Sequence, residues 1–419
     1  MRALSLWLLA VLVHAAWALT VPTPVDWDPA YYSAVAGHIL AGDGAVTGSA
    51  VFLSQLPESL PAVADLHWAP LPSRVLLPGL ALWTHGDQLV TVCILATWAP
   101  LAWAIARELG AGPRTALWAG VMAASGLGYA RMGASPDSIA LAGALGGVAL
   151  LALLRDRWGV LALAAVGLVL TRGDGFLVGL VFAAFVRRRS AGVVVAIATV
   201  GALGAWAMRC QAFGGSEWVE ARQGLMAAAD YGAWLRDEPA TTTARPLTRL
   251  PMIYGLAFAA LVPLLAAVGF RRRAAPLFIL ALVLPLSTAL LAPALAESGT
   301  LYRSGAILVS GACALASLGI ERLARLRDLD LRFAYGVLGG GVLLTSVALG
   351  ARNVTLKPSL EVACPELPDE VVFSDEPLLL ELRCGASAVW LPAGLSTEKR
   401  EEVRKRYAIT RVVRVHGGS

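Results

Sequence analysis

The chain has 419 residues, 57% hydrophobic and 15% charged, and its 34 Lys and Arg against 29 Asp and Glu give a formal net charge of +5. A soluble domain carries roughly 25% charged residues, so an ordinary cytosolic enzyme is excluded, and the apolar content excludes a disordered or collagen-like chain. Three cations are Lys (Lys357, Lys399, Lys405) and the rest Arg, mostly clustered between apolar runs, a pattern of membrane topology that implies no nucleic-acid partner.

A bilayer core takes about 17 to 25 apolar residues per helix. The first such run is 3–20, with a cleaved leader as the alternative reading, and a long loop, 21–87, follows it. Within this loop Asp28-Pro29 is a ready cap and first-turn pair, and the spacing of Tyr31, Tyr32, Val35, Ala36, Ile39 and Leu40 predicts a short amphipathic helix stopped by Gly42. Asp28 is therefore either a cap or a reactive carboxylate, with Asp26 beside it as a second acid. His67 and Arg74 flank a proline segment at the membrane surface and are candidates for binding a phosphate, with Trp68 as an interfacial anchor.

Further apolar runs occupy 88–106, 115–132, 138–154, 158–171, 175–186, 191–209, 252–270, 274–292, 304–320 and 333–350, giving eleven predicted spans. Every second connection is rich in Arg, for example Arg187-Arg188-Arg189 and Arg271-Arg272-Arg273. The positive-inside rule makes these cytoplasmic and assigns the first loop, 210–251, 293–303 and the tail from 351 to the other side. Charged groups near that outer side demand a partner or a wet cavity. They are Arg131, the Ser135-Pro136-Asp137 turn, Arg172 with Asp174, and Tyr302-Arg303. Ser135 is expected to cap the following helix, and Arg172 and Asp174 either pair with each other or bind substrate.

The tail, 351–419, changes composition. Short strands are predicted at Val371–Phe373, Ala388–Leu391 and Ile409–Val415, with a helix capped by Ser396 or Thr397 and ending near Tyr407. This is a small α+β extracytoplasmic domain beyond a membrane domain, 1–350. Cys364 and Cys384 both lie in it, where an oxidising compartment favours a bridge; two separate thiols are the alternative.

The order of these parts resembles the GT-C superfamily of polytopic glycosyltransferases, which includes oligosaccharyltransferase catalytic subunits, protein O-mannosyltransferases and lipid A aminoarabinose transferases. The resemblance is carried by Asp-Pro-x-Tyr-Tyr at Asp28–Tyr32, Leu40-Ala41-Gly42-Asp43-Gly44, His-x-x-Pro-Leu at His67–Leu71, Ser-Pro-Asp at Ser135–Asp137, Thr-Arg-x-Asp-Gly at Thr171–Gly175 and the late Tyr302-Arg303. It implies an α-helical polytopic membrane protein in a GT-C-like arrangement. It also implies transfer of a sugar from a polyprenyl-phosphate or diphosphate donor to an acceptor glycan, glycolipid or protein outside the cytoplasm. Asp28 would be the general base, with His67, Arg74, Arg172 and Arg303 toward the phosphate and Asp26, Arg131, Asp174 and Tyr302 lining the substrate site. Asp28 and Asp137 match positions at which some members hold a divalent cation, Mg or Mn. The family's paired acid is here interrupted as Asp26-Trp27-Asp28, the Lys that some members carry in the first loop is absent, and so is the Trp-Trp-Asp acceptor signature, which disfavours peptide asparagine. A transporter or flippase of a lipid-linked or anionic solute, and a non-catalytic membrane subunit, are the competing readings.

Overall fold

The computed structural model describes residues 2–20, 27–51, 56–227, 258, 261–291, 300–354, 364, 370–392 and 395–413. The helices are, in chain order, α1 (Arg2–Thr20), α2 (Trp27–Ala41), α3 (Leu71–Leu82), α4 (Gly86–Ala96), α5 (Trp98–Glu108), α6 (Pro113–Ala124), α7 (Ala130–Gly133), α8 (Ser138–Leu154), α9 (Trp158–Thr171), α10 (Gly175–Phe185) and α11 (Arg189–Ala227). They continue as α12 (Leu261–Val268), α13 (Ala275–Leu291), α14 (Thr300–Gly305), α15 (Val309–Leu326), α16 (Leu331–Ala334), α17 (Gly340–Val354), α18 (Pro377–Cys384) and α19 (Thr397–Arg406).

Among the described residues five helical stretches are long and apolar enough to cross a bilayer: Arg2–Thr20, Gly86–Glu108, Arg189–Gly215, Tyr302–Leu326 and Leu331–Leu349. The chain is thus a multi-pass α-helical membrane protein, with fewer long spans than the eleven apolar runs suggest. Helices α8, α9 and α10, at 17, 14 and 11 residues, are apolar but short. The run 115–132 is cut at Gly126, whose φ of +70° ends α6 in a left-handed turn that a side chain would strain. Part of the run 252–270 lies outside the described residues.

The bundle packs through small residues, as expected where lipid removes the hydrophobic drive between helices. Gly143 of α8 leaves room for the Trp98 ring, whose Nε1 donates to Ala140 O at 3.0 Å, and Gly146 leaves room for Ile307. These contacts hold α5, α8 and the turn 306–308 that leads into α15 together.

The loop after α1 differs from the amphipathic expectation. In α2 the residues from Pro29 to Ala36 are all buried, on every side of the helix. The cause is a layer that the sequence pattern does not reveal. Strands β1 (Val46–Thr47) and β3 (Ala62–Val63) form an antiparallel pair, while β2 (Ser49–Ala50) joins β4 (Val372–Ser374), β5 (Ala388–Trp390) and β6 (Val412–Val413) in a parallel sheet of order β2-β5-β4-β6. The first loop thus contributes an edge strand to the tail's sheet, and α18 packs on α2. Helix α19 follows Ser396, whose Oγ accepts from Lys399 N. Cys364 and Cys384 are joined in a disulfide.

Candidate active site

Helix polarity brings the sequence-selected charges to one end of the bundle. Helices α8 and α10 and the α14–α15 stretch start there and α9 ends there, while their opposite ends meet Arg155, Arg157, Arg187 and Arg325. Asp137 is the residue before α8, and Ser138 Oγ donates to its Oδ1 at 2.9 Å. Ser135 does not cap: Asp137 occupies the cap position, and Ser135 Oγ is buried without a partner among the described residues. Asp174 is the residue before α10, reached by a tight turn in which Gly175 N donates to Arg172 O at 2.9 Å. A Cβ on Gly175 would collide with the Leu168 carbonyl, so glycine permits α9 and α10 to meet so closely.

Arg303 is aimed by its neighbour. Tyr129 Oη donates to Tyr302 O at 2.6 Å, and Tyr302 Oη donates to Gly128 O, so two reciprocal hydroxyls clasp α14 to the segment before α7. The hydroxyl of Tyr302, expected to face substrate, is thus engaged by the backbone.

Asp28 lies in the first turn of α2, and its carboxylate makes tertiary contacts. Oδ1 accepts from Trp68 Nε1 at 3.0 Å, and Oδ2 lies 3.2 Å from Arg303 Nη1. Tyr31 stacks on Trp68 with centroids 4.2 Å apart, supporting the donor. Arg303 Nε lies 3.3 Å from Asp137 Oδ2, a charge contact without hydrogen-bond alignment. The network extends through Ser138 to Arg172, whose Nη1 is 3.5 Å from Ser138 Oγ and whose Nε and Nη2 fork onto Asp174 at 3.1 and 3.2 Å. Ser304 Oγ bonds Asp174 as well. Asp28, Arg303 and Asp137 have side chains 19%, 13% and 1% exposed, so the pairing is largely screened from bulk water while Asp28 keeps some access.

The other expected residues make different contacts. Arg74 pairs with Asp65 at 2.5 Å and donates to Pro70 O at 2.9 Å. Asp65 is fully buried; burial pushes its carboxyl above the usual range and Arg74 opposes that shift. His67 sets its ring edge to Trp68. Arg131 is buried, and its Nε has no hydrogen-bond partner among the described residues. Asp26 lies outside the described residues. The Trp68 indole, Ser138 and Ser304 were missed as members of the network, because a lone indole or hydroxyl has no sequence signature apart from the acid it meets.

Asp28 and Asp137 do not, as arranged, make a cation site. The Arg303 guanidinium contacts both, and no group of three or more His, Cys, Asp or Glu side chains able to hold a metal occurs among the described residues. Next to Asp137 a small, shallow and largely apolar crevice is lined by Val75 and Leu76 of α3, Thr91 and Ile94 of α4, and Ala140 of α8.

No family model matches the chain, and no curated protein sequence does. Its fold matches solved membrane proteins almost end to end. One is the oligosaccharyltransferase AglB of Archaeoglobus fulgidus, in complex with an inhibitory peptide and a dolichol-phosphate, with 11% identity and a TM-score of 0.59 over 98% of this chain and 69% of that one. Another is ArnT of Cupriavidus metallidurans bound to undecaprenyl phosphate, with 14% identity and a TM-score of 0.63 over 97% of this chain and 89% of that one. The likeness is one of tertiary structure, and by it this chain shares the fold of these solved proteins.

Proposed function

We propose that the protein is a membrane glycosyltransferase that moves a sugar from a polyprenyl-phosphate or diphosphate donor to an acceptor outside the cytoplasm, with Asp28 as general base. The observation that carries the reading is the convergence of Asp28, Arg303 and Asp137 from three remote segments, in a chain whose fold matches proteins solved with dolichol-phosphate and undecaprenyl phosphate. The acceptor O–H loses its proton to Asp28 as the oxygen bonds the anomeric carbon, and the bond from that carbon to the phosphate oxygen breaks with its electron pair. Once Asp28 is neutral, Arg303 has lost one of its counter-charges and keeps the contact with Asp137. Its positive charge then becomes available as the departing phosphate gains negative charge. The pairing that holds the base in the resting state thus becomes stabilisation of the leaving group.

Arg172 and His67 remain candidates for phosphate contacts and Arg131 for substrate binding, whereas Arg74 serves its ion pair with Asp65. The eleven apolar runs, the shorter ones tilted or broken, form the spans of a membrane domain, 1–350. The candidate site and the tail domain, 351–419, face away from the cytoplasm.

The test compares envelope lipids, glycans and proteins, by mass spectrometry, in cells with the gene, without it, and carrying Asp28→Asn. A glycosylated species lost in both deficient strains supports the reading. A product undiminished in Asp28→Asn removes Asp28 as base, and loss of a solute gradient in place of a glycan favours transport.

A further inference from the structure

Asp28 occupies a structurally weak place. The opening N–H groups of any helix lack intrahelical partners, so a first turn frays unless something outside holds it. Here the residue that begins α2, Trp27, is held by the tail. Its Nε1 donates to Glu376 Oε2 at 2.8 Å, and its ring meets Trp390 edge-on with centroids 5.0 Å apart.

Glu376 is the residue preceding α18, a position from which a side chain ordinarily caps its own helix. It makes no such bond. Its carboxylate reaches Trp27 across the interface, while its own N–H donates to Ser374 Oγ at the end of β4. The tail supporting Glu376 is itself fixed to the first loop. The buried Glu381 of α18 accepts from Gly48 N and, at 3.0 Å, from Thr47 Oγ1, and lies 3.2 Å from His38 Nε2, while β2 pairs with β5. Trp27 is therefore tied to a sheet that the loop helps to build.

We propose that Glu376 is a positioning residue for Asp28: through the Trp27 indole it fixes the first turn of α2, so that the tail sets the aim of the carboxylate toward Arg303. The proposal rests on the reading of Asp28 as base and gives the tail domain a role in the reaction that does not require it to touch substrate.

The test uses the full chain in lipid nanodiscs and, in parallel, in cells lacking the gene, with Glu376→Ala, Glu376→Gln, Trp27→Phe and the Trp27→Phe/Glu376→Ala double variant. Hydrogen exchange is read at the Tyr31 and Tyr32 amides, which close the first turn, and glycan product is read by mass spectrometry. Loss of a hydrogen bond to a charged group predicts exchange about tenfold faster in Glu376→Ala, with product formation slowed to a similar extent. Glu376→Gln, whose amide oxygen still accepts from the indole, stays near wild type in both. Trp27→Phe reproduces the alanine effect with the tail sequence intact, and the double variant is no worse than either single one. Unchanged exchange in both Glu376→Ala and Trp27→Phe overturns the proposal, as does a Gln variant that behaves like Ala. Product undiminished in Asp28→Asn removes the base assignment and with it the catalytic part of the proposal. Product lost in Asp28→Asn but retained in Glu376→Ala overturns the positioning role alone.

Discussion

Asp28 Oδ2 and Arg303 Nη1 lie 3.2 Å apart, joining the first loop to the start of the Tyr302–Leu326 span. Because Arg303 also meets Asp137, one guanidinium keeps two carboxylates from facing each other uncompensated. Arg303→Ala is expected to lower stability by about 3–5 kcal/mol, the cost of leaving buried charge unpaired, and to abolish transfer. Arg303→Ala with Asp137→Asn regains much of the stability and none of the transfer. Thermal melting in detergent and product analysis check the two parts; full activity in Arg303→Ala would refute the role given to it.

Arg172 and Asp174 form a forked pair with side chains only 10% and 13% exposed. Asp174→Asn leaves the guanidinium half-compensated and should cost about 3 kcal/mol. Replacing both, as Arg172→Met with Asp174→Leu, should recover most of that stability in a melting experiment. Transfer stays reduced in the double variant, because Ser138 and hence Asp137 lose their link to Arg172. Recovery of transfer along with stability would mark the pair as structural alone.

Arg74 was a candidate for the donor phosphate, and its ion pair with the fully buried Asp65 gives it a different task. Asp65 also holds the loop to its surroundings, since its N–H donates to Tyr31 Oη at 2.6 Å and its carbonyl accepts from Trp206 Nε1 at 2.9 Å. Arg74→Ala should destabilise by about 3 kcal/mol, the low end for breaking a buried pair because the guanidinium is partly exposed. Asp65→Asn with Arg74→Leu is expected to melt near wild type and to form glycan product at an unchanged rate. A clear loss of product in that well-folded double variant would return Arg74 to the phosphate.

His38 sits between Asp43 Oδ2 at 3.0 Å and Glu381 Oε1 at 3.2 Å, and its hydrogen bond to the Glu381 carboxylate is the main cause that raises its pKa from 6.5 to about 9. A group whose pKa is raised by folding contributes stability that is complete below its unfolded value and disappears as the pH passes its folded value. Contact between α2 and the tail is therefore expected to weaken between pH 6.5 and about 9. Hydrogen exchange in 46–50 and 377–384 across this range checks it. His38→Gln should flatten the dependence, and a wild-type profile already flat would count against it.

Much of the membrane part was legible because burial in lipid is written locally: each apolar run with its flanking Arg residues announces a helix and its direction. The strands and the capped helix of the tail were legible for the same reason, from alternation and from Ser396. The burial of α2 was not, since the periodicity of Tyr31, Val35 and Ile39 describes one apolar face and carries no record of the α18 and β2 contacts that cover the others. The break at Gly126 was equally hidden, because an apolar run reads the same whether or not its backbone turns left-handed within it.

The sequence by itself determined that this chain lives in a bilayer, which of its segments are apolar, and which acids and guanidinium groups stand out against that background. Only the tertiary structure decided how they pair: Arg303 with Asp28 and Asp137, Arg172 with Asp174, Arg74 with Asp65 and Glu376 with Trp27. Hydropathy sums over neighbours along the chain. An ion pair depends on a separation of a few ångströms between atoms that the chain keeps far apart, and helix packing alone fixes that distance.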